Sequence, residues 1–386
     1  MNRILTIAKR ECGIIFRAPI YAFCMVVFPI LAIVFFTTLL GEGQPSSIPV
    51  GVVDQDNTQL SRSLVRRLDS FQSSKVVARY ATVSDARRAI QQNQIYGFLY
   101  IPKGTADALF AKRQPSISYY YSGVSMVAGS MLYKDLKTST MLTSAEVGAA
   151  KLSMLGKTDR EIETFLQPIS LDLHQIANPQ MDYNVYLSTT MVPGIMMLFI
   201  LLLSAYALGS EIKFDRSKEL MKAAGGDIRI ALIGKYLPHV LVYFIIFVGF
   251  ELYAYYGLGF PHPPHFLIPL FLALFCVLAC IGFGIFMFGL MPSLRMSMSI
   301  CSLWGVLSIT ICGATFPLFA MHPMIQALAW LFPLRHYYMI YQLNILNQFP
   351  PLDASAHYLV LLGFCILPFF VLKKLKNALL EYVYLS

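Results

Sequence analysis

EIKFDRSKELMKAA, from Glu211 to Ala224, is the stretch that decides how this chain is read. Glu211, Lys213, Asp215, Arg216, Lys218, Glu219 and Lys222 are charged, half of its residues, in a chain where charge is scarce. Apolar runs flank it. No charged side chain occurs from Tyr183 to Ser210, and only His239 titrates easily between Tyr236 and Phe250. A charged, helix-favouring segment between two runs long enough to cross a bilayer must lie in water at the membrane face. Its four cations, with Arg229 and Lys235 following, place that face in the cytoplasm by the positive-inside rule. As one helix the stretch would set Glu211, Asp215, Lys218 and Lys222 in a strip at i, i+3 and i+4 spacings, with Ile212, Leu220 and Ala223 turned toward the spans. Gly225-Gly226 would end it, and Asp227 would cap the next helix. The plain alternative is a solvated connector.

Composition agrees with a membrane protein. The chain has 386 residues, 56% hydrophobic and 13% charged, whereas soluble domains carry roughly 25% charged residues. The formal charge of +9 does not point to nucleic acid. The cations cluster beside apolar runs, where they set topology and meet anionic headgroups of the lipid bilayer. Of the seven cysteines, six fall in expected spans and Cys12 in the N-terminal segment. Cys276 and Cys280 share a helix face but read as small core residues, not metal ligands. The first apolar run, about 24 residues after Arg17, lacks a small-residue cleavage site and reads as a retained span, not a secretory peptide.

The chain divides into three parts. Residues 1–41 hold a basic amphipathic helix, with Ile4, Leu5, Ala8, Cys12, Ile15 and Phe16 near helical spacing, and a first span from Ala18 to Leu40 that Pro29 should kink. Residues 42–184 regain charges of both signs and alternate between strand and helix signals, as expected of an inserted, external mixed α/β domain. Strands are expected at Ile48–Val53, Lys75–Tyr80, Ile95–Ile101 and Ser116–Tyr121. Helices are expected after an Asp56 cap, over Ser84–Asn93, after Pro102 and from Val124 to Leu155, and Thr158-Asp-Arg-Glu161 reads as a capping box. Residues 185–386 hold five more spans: Tyr186–Leu208, Leu232–Tyr256, Phe266–Met291, Met296–Ala320 and His357–Leu372. Pro261, Pro263 and Pro264 break the chain outside, and Arg295 marks an inner turn. The fold class is therefore an α-helical polytopic membrane protein with six transmembrane helices, both termini cytoplasmic.

Motifs for chemistry are missing. The sequence contains no GxxxxGK[ST], HExxH, GxSxG or clustered CxxC, so no catalytic residue and no ATP site of its own is assigned. His262 and His265 flank prolines on an outer turn and lack further ligands for a metal. Asp54 and Asp56 could hold a cation, but helix capping accounts for Asp56. Glu251 stands out, because an ionisable residue in a span is a functional candidate by default. With Tyr253 and Tyr255 it forms a candidate translocation path. About five residues, roughly 8 Å, separate Glu251 from the outer edge, so contact with headgroup water is the competing reading. Gly282, Gly284 and Gly289 permit close helix packing.

In order, KRECGIIFRAP (Lys9–Pro19), IPVGVVDQDNTQLSRSLVRRL (Ile48–Leu68), YGFLYIPKGTADALF (Tyr96–Phe110), SEIKFDRSKELMKAAGG (Ser210–Gly226) and PLFAMHPMIQALAWLFPLRHYY (Pro317–Tyr338) resemble blocks of the permease subunits of type-2 ABC exporters, in the branch with a large external domain after the first span. The resemblance covers essentially the whole chain. It departs from the family pattern where Arg216-Ser217 replaces a Gly-Thr pair and Ala224-Gly225-Gly226 stands in place of a proline.

The resemblance implies that residues 211–224 are a coupling helix, with Glu211, Asp215, Arg216, Lys218, Glu219, Leu220 and Lys222 meeting a separate ABC ATPase that binds ATP and Mg. This chain would itself bind no cofactor. It also implies a second permease copy or a homologous permease as partner, a periplasmic adaptor as a further one, and a bacterial inner-membrane location. The expected function is ATP-driven export of an amphipathic or hydrophobic substrate, drug-like or lipid. The alternative is a non-transporting assembly or receptor protein whose external domain binds a partner. An intramembrane enzyme is disfavoured by the missing motifs.

Overall fold

The computed structural model describes residues 2–381 apart from 112, 170, 171, 173 and 264. The chain forms two compact units, Gln44–His174 and the remainder, Met1–Gly43 with Gln175–Ser386.

The larger unit is helical. Six helices are long and apolar enough to cross a membrane: Pro19–Leu39, Asn184–Lys213, Ile228–Gly257, Leu267–Leu290, Leu294–Ile311 and Pro351–Glu381. They are numbered here as spans one to six. The kink expected at Pro29 takes another form. An i→i+5 stretch, Ala22–Val27, ends just before Phe28–Leu39 and takes up the irregularity that a ring without an N–H imposes. Of the three prolines expected to break the chain after span three, Pro264 lies outside the described residues. Spans two and four pack closely, and glycine permits it: a Cβ on Gly284 would come within 2.6 Å of the Ser204 Cβ. Span five stops at Ile311, short of the expected Ala320. Two short helices, Pro323–Ala329 and Pro333–Ile340, precede span six.

The smaller unit is built on a four-stranded sheet of β1 (Ile48–Asp54), β2 (Ser74–Arg79), β3 (Gly97–Ile101) and β4 (Ser118–Tyr121), in the order β2-β1-β3-β4. β1 is parallel to both neighbours and β4 is antiparallel to β3. Both faces are covered, as parallel strands require. Val50 and Val52 pack with Leu64, Leu68 and the long helix Met126–Met154 through Leu132 and Leu136. On the opposite face Val53 and Phe98 pack with Ala86 and Ala89.

Two local expectations need correction here. Asp56 does not cap the helix that follows it. Helix Gln59–Asp69 is capped by Thr58 in a reciprocal box with Ser61. The Asp56 carboxylate instead accepts from the backbone N–H groups of Gly104 (2.8 Å), Thr105 (2.9 Å) and Ala106 (3.2 Å), and so caps Thr105–Phe110 across the fold. That helix opens at Thr105, three residues after Pro102. Thr158 and Glu161 do form the capping box of Asp159–Leu166.

Candidate functional site

The stretch 211–224 is not one helix. Span two runs through Lys213 and stops in a Schellman motif. Asp215 takes the left-handed conformation at φ +51°, its N–H bonds the Ile212 carbonyl, and the Arg216 N–H reaches back to the Glu211 carbonyl at 2.8 Å. Ser217–Ala223 is then a separate seven-residue helix. It ends in a second motif of the same kind. Gly225 is left-handed at φ +69°, its N–H bonds the Lys222 carbonyl, and the Gly226 N–H bonds that of Met221. Asp227 then caps span three by accepting from the Arg229 N–H at 2.9 Å.

The break redistributes the expected strip. Asp215, Lys218, Glu219 and Lys222 are exposed, whereas Leu220 is buried with Met221 against the membrane unit. Arg216 is half-buried, its guanidinium 5.1 Å from the centre of the Phe214 ring. Glu211 does not join these exposed charges. It sits inside the end of span two, 0% exposed, because the chain reverses after it and not before.

Around Glu211 lies a buried ionic cluster. Arg10 donates two parallel bonds to its carboxylate, at 3.0 and 2.9 Å, a bidentate pairing that fixes orientation as well as distance. Lys235 Nζ in span three bridges Glu211 Oε1 at 2.8 Å and Glu11 Oε2 at 2.7 Å. His239 Nε2, one turn further along span three, is 3.0 Å from the other Glu11 oxygen. Lys235 and Glu11 are both 0% exposed. Two carboxylates against Arg10 and Lys235 balance without a charge on His239. Burial works against the charged form of Glu11, but Lys235 and His239 outweigh it and hold its carboxyl down at about 2. Burial likewise opposes the charge on Arg10, and its bonds to Glu211 raise it nonetheless. Arg10 also reaches the exposed Glu219 at 3.7 Å. One cluster thus ties the N-terminal helix Asn2–Arg17 to spans two and three and touches the short helix between them.

Sequence reasoning missed Glu11 altogether, took Lys235 for a topology signal and left Arg10 among the charges of a basic amphipathic helix. The signal was present. Glu11 falls four residues after the buried Ile7, on the apolar stripe of its helix, and Lys235 and His239 are spaced i, i+4 inside a span.

Glu251 and Tyr255, also four apart, share the buried side of span three, 1% and 2% exposed, whereas Tyr253 faces outward at 44%. The three residues therefore do not make one wall. Neither Glu251 oxygen has a hydrogen-bond partner among the described residues. Glu251 is thus sealed within the span bundle of the single chain, away from headgroup water.

The pattern of the ABC-2 family transporter proteins matches residues 19–372, from the start of span one through the inserted unit and into span six. The chain belongs to this family. ABC-2 permeases are membrane components that generally work with an ABC ATPase and often dimerise. A curated relative, the linearmycin resistance permease protein LnrN of Bacillus subtilis (strain 168), is 25% identical over 151 residues, 39% of this chain and 38% of its own length. The chain thus spans well under half of that relative.

Proposed function

We propose that this ABC-2 permease is the membrane-spanning half of an ATP-driven exporter for an amphipathic or hydrophobic compound, energised by a separate ATPase at the Ser217–Ala223 helix. The observation that carries this reading is the construction around that helix. Lys218, Glu219 and Lys222 are offered to solvent, while Leu220, Met221 and the ionic cluster root the helix in two spans and the N-terminal helix. A short helix held this way can pass a partner's closure to the spans as a rigid-body shift. The sequence has no phosphate-binding loop, which supports ATP and Mg being held by the partner. The B. subtilis relative is named a linearmycin resistance permease protein, which supports a drug-like compound as substrate. Clustered cations at the N-terminal helix, the 211–224 stretch and Lys373–Lys376 support an inner-membrane topology with both termini cytoplasmic and the α/β unit outside.

Leu220→Pro tests the reading. It removes the Leu220 N–H bond to the Arg216 carbonyl at 3.0 Å and costs the helix about 3 kcal/mol. Lys218→Ala removes only an exposed charge, worth about 0–1 kcal/mol. Both variants should insert. The proline variant should lose ATPase co-purification and transport, and Lys218→Ala should keep most of both. Normal export by Leu220→Pro would reduce this stretch to a connector.

A further inference from the structure

Beside the ionic cluster, the end of the N-terminal helix, the start of span one and the break after span two enclose an open cleft of about 750 Å³, within the range of small-ligand sites. Its lining combines two chemistries. It carries Lys9, Arg17 and Arg216, and among the described residues none of these cations pairs with a carboxylate. Arg10 and Glu219, also at the rim, are occupied with each other and with Glu211. The Nε of Arg216 is buried without a hydrogen-bond partner. The cleft is also lined by Ile20, Tyr21 and Tyr206, which belong to spans one and two. It therefore joins cations free of carboxylate partners at a span terminus with aromatic side chains of the spans.

We propose that this cleft binds one anionic phospholipid, its phosphodiester between Lys9, Arg17 and Arg216 and the head of an acyl chain against Tyr21 and Tyr206. Three cations left unpaired in a cleft that aromatic side chains also line match a molecule that is anionic at one end and apolar at the other. An acidic loop of a protein partner would satisfy the cations but not the aromatic side chains, which belong to the spans. A free phosphate has the same failing. The lipid would brace the N-terminal helix against the break at Asp215–Arg216.

The test uses the full chain in nanodiscs of phosphatidylcholine with a minor share of phosphatidylglycerol, followed by release and native mass spectrometry. Wild type should retain phosphatidylglycerol in preference to phosphatidylcholine. Each cation near an anionic headgroup is worth about five-fold in binding, so Lys9→Gln or Arg17→Gln should each lower retention about five-fold. The triple variant with Arg216→Gln should lower it on the order of 100-fold. Lys9→Arg should keep wild-type retention, and Lys75→Gln, which removes an exposed cation of the α/β unit that does not line the cleft, should leave it unchanged. Lys9 and Arg17 are exposed, so the single variants read the site without threatening the fold. Equal retention of the two lipids by wild type overturns the proposal. So does displacement of the lipid by inorganic phosphate in excess, which marks a free-anion site. Retention unchanged in the triple variant while a co-purifying ATPase is lost would assign the cleft to the protein partner instead.

Discussion

Replacing Lys235 by Met tests the ionic cluster most directly. Lys235 is fully buried and holds two carboxylates, Glu11 at 2.7 Å and Glu211 at 2.8 Å. Glu211 keeps Arg10 after the change, so the loss concentrates on Glu11, left with His239 alone. Breaking a buried pair from one side costs about 3–5 kcal/mol. The proton equilibrium gives a similar figure. The Glu11 carboxyl falls from 4.5 to about 2 in the fold, a difference worth on the order of 3 kcal/mol. A depressed carboxyl stabilises the fold above its unfolded value and loses that contribution as pH falls through the folded one. For wild type the loss should therefore run from about pH 5 down to about pH 2. The groups facing Glu11 are Lys235 and His239 from span three. Without Lys235 the window should move up in pH, and thermal unfolding in detergent near neutrality should fall by on the order of 10 °C. The double variant Lys235→Met with Glu11→Leu removes both charges and should recover most of the loss, since well-packed apolar replacements of buried pairs are often neutral. If the double variant melts as low as the single one, or if Lys235→Met melts like wild type, the cluster is not an electrostatic tie.

Three further outcomes are expected. Asp215→Gly should keep or raise stability and Asp215→Val should lower it by about 1–2 kcal/mol, because the residue sits at φ +51°; equal melting of the two variants contradicts the Schellman stop. The segment Gln44–His174, expressed alone, should melt cooperatively without metal or oxidant, since its sheet is covered on both faces and it contains no cysteine; an aggregating product would show that it depends on the rest of the chain. Glu251→Gln should leave assembly intact, because it keeps the side chain's size and polarity at a buried position, and should alter substrate-stimulated ATPase activity; unchanged activity over the whole substrate range would remove Glu251 from the transport path.

What could be read from the sequence followed the strength of its periodic signals. Long apolar runs gave the spans, because length and charge exclusion alone decide bilayer crossing. The alternating strands of the inserted unit were legible within a few residues, because Val50, Val52 and Val53 face two covered sides. The fate of individual charges was less legible. Glu211 and Lys218 look alike in sequence, yet one is sealed in a span and the other is solvated. The difference turns on Asp215, a residue other than glycine in a left-handed position, which propensity alone reads as helix interior. Asp56 shows the same limit. Its carboxylate caps a helix that begins at Thr105, and only the sheet brings that N-terminus within reach.

The cluster also bears on how the proposed coupling could work. Two Schellman stops make Ser217–Ala223 a separate piece, joined to the spans by short links at Asp215–Arg216 and Gly225-Gly226. Such a piece transmits force only if the elements behind its links cannot slide. Apolar contacts between helices are non-directional and allow a small set of packing registers, so they fix one register less specifically than a directional bond does. A bidentate guanidinium on a buried carboxylate has one geometry, and pulling it apart in a low-dielectric site costs several kcal/mol. Glu211 lies four residues before the first link and Lys235 nine residues after the second, and both are gripped by the consecutive residues Arg10 and Glu11 of the N-terminal helix. That helix therefore acts as a clamp across both links. A push on the exposed side of Ser217–Ala223 has to move spans two and three together with the N-terminal helix, which favours rigid-body motion over shear as the mechanical step.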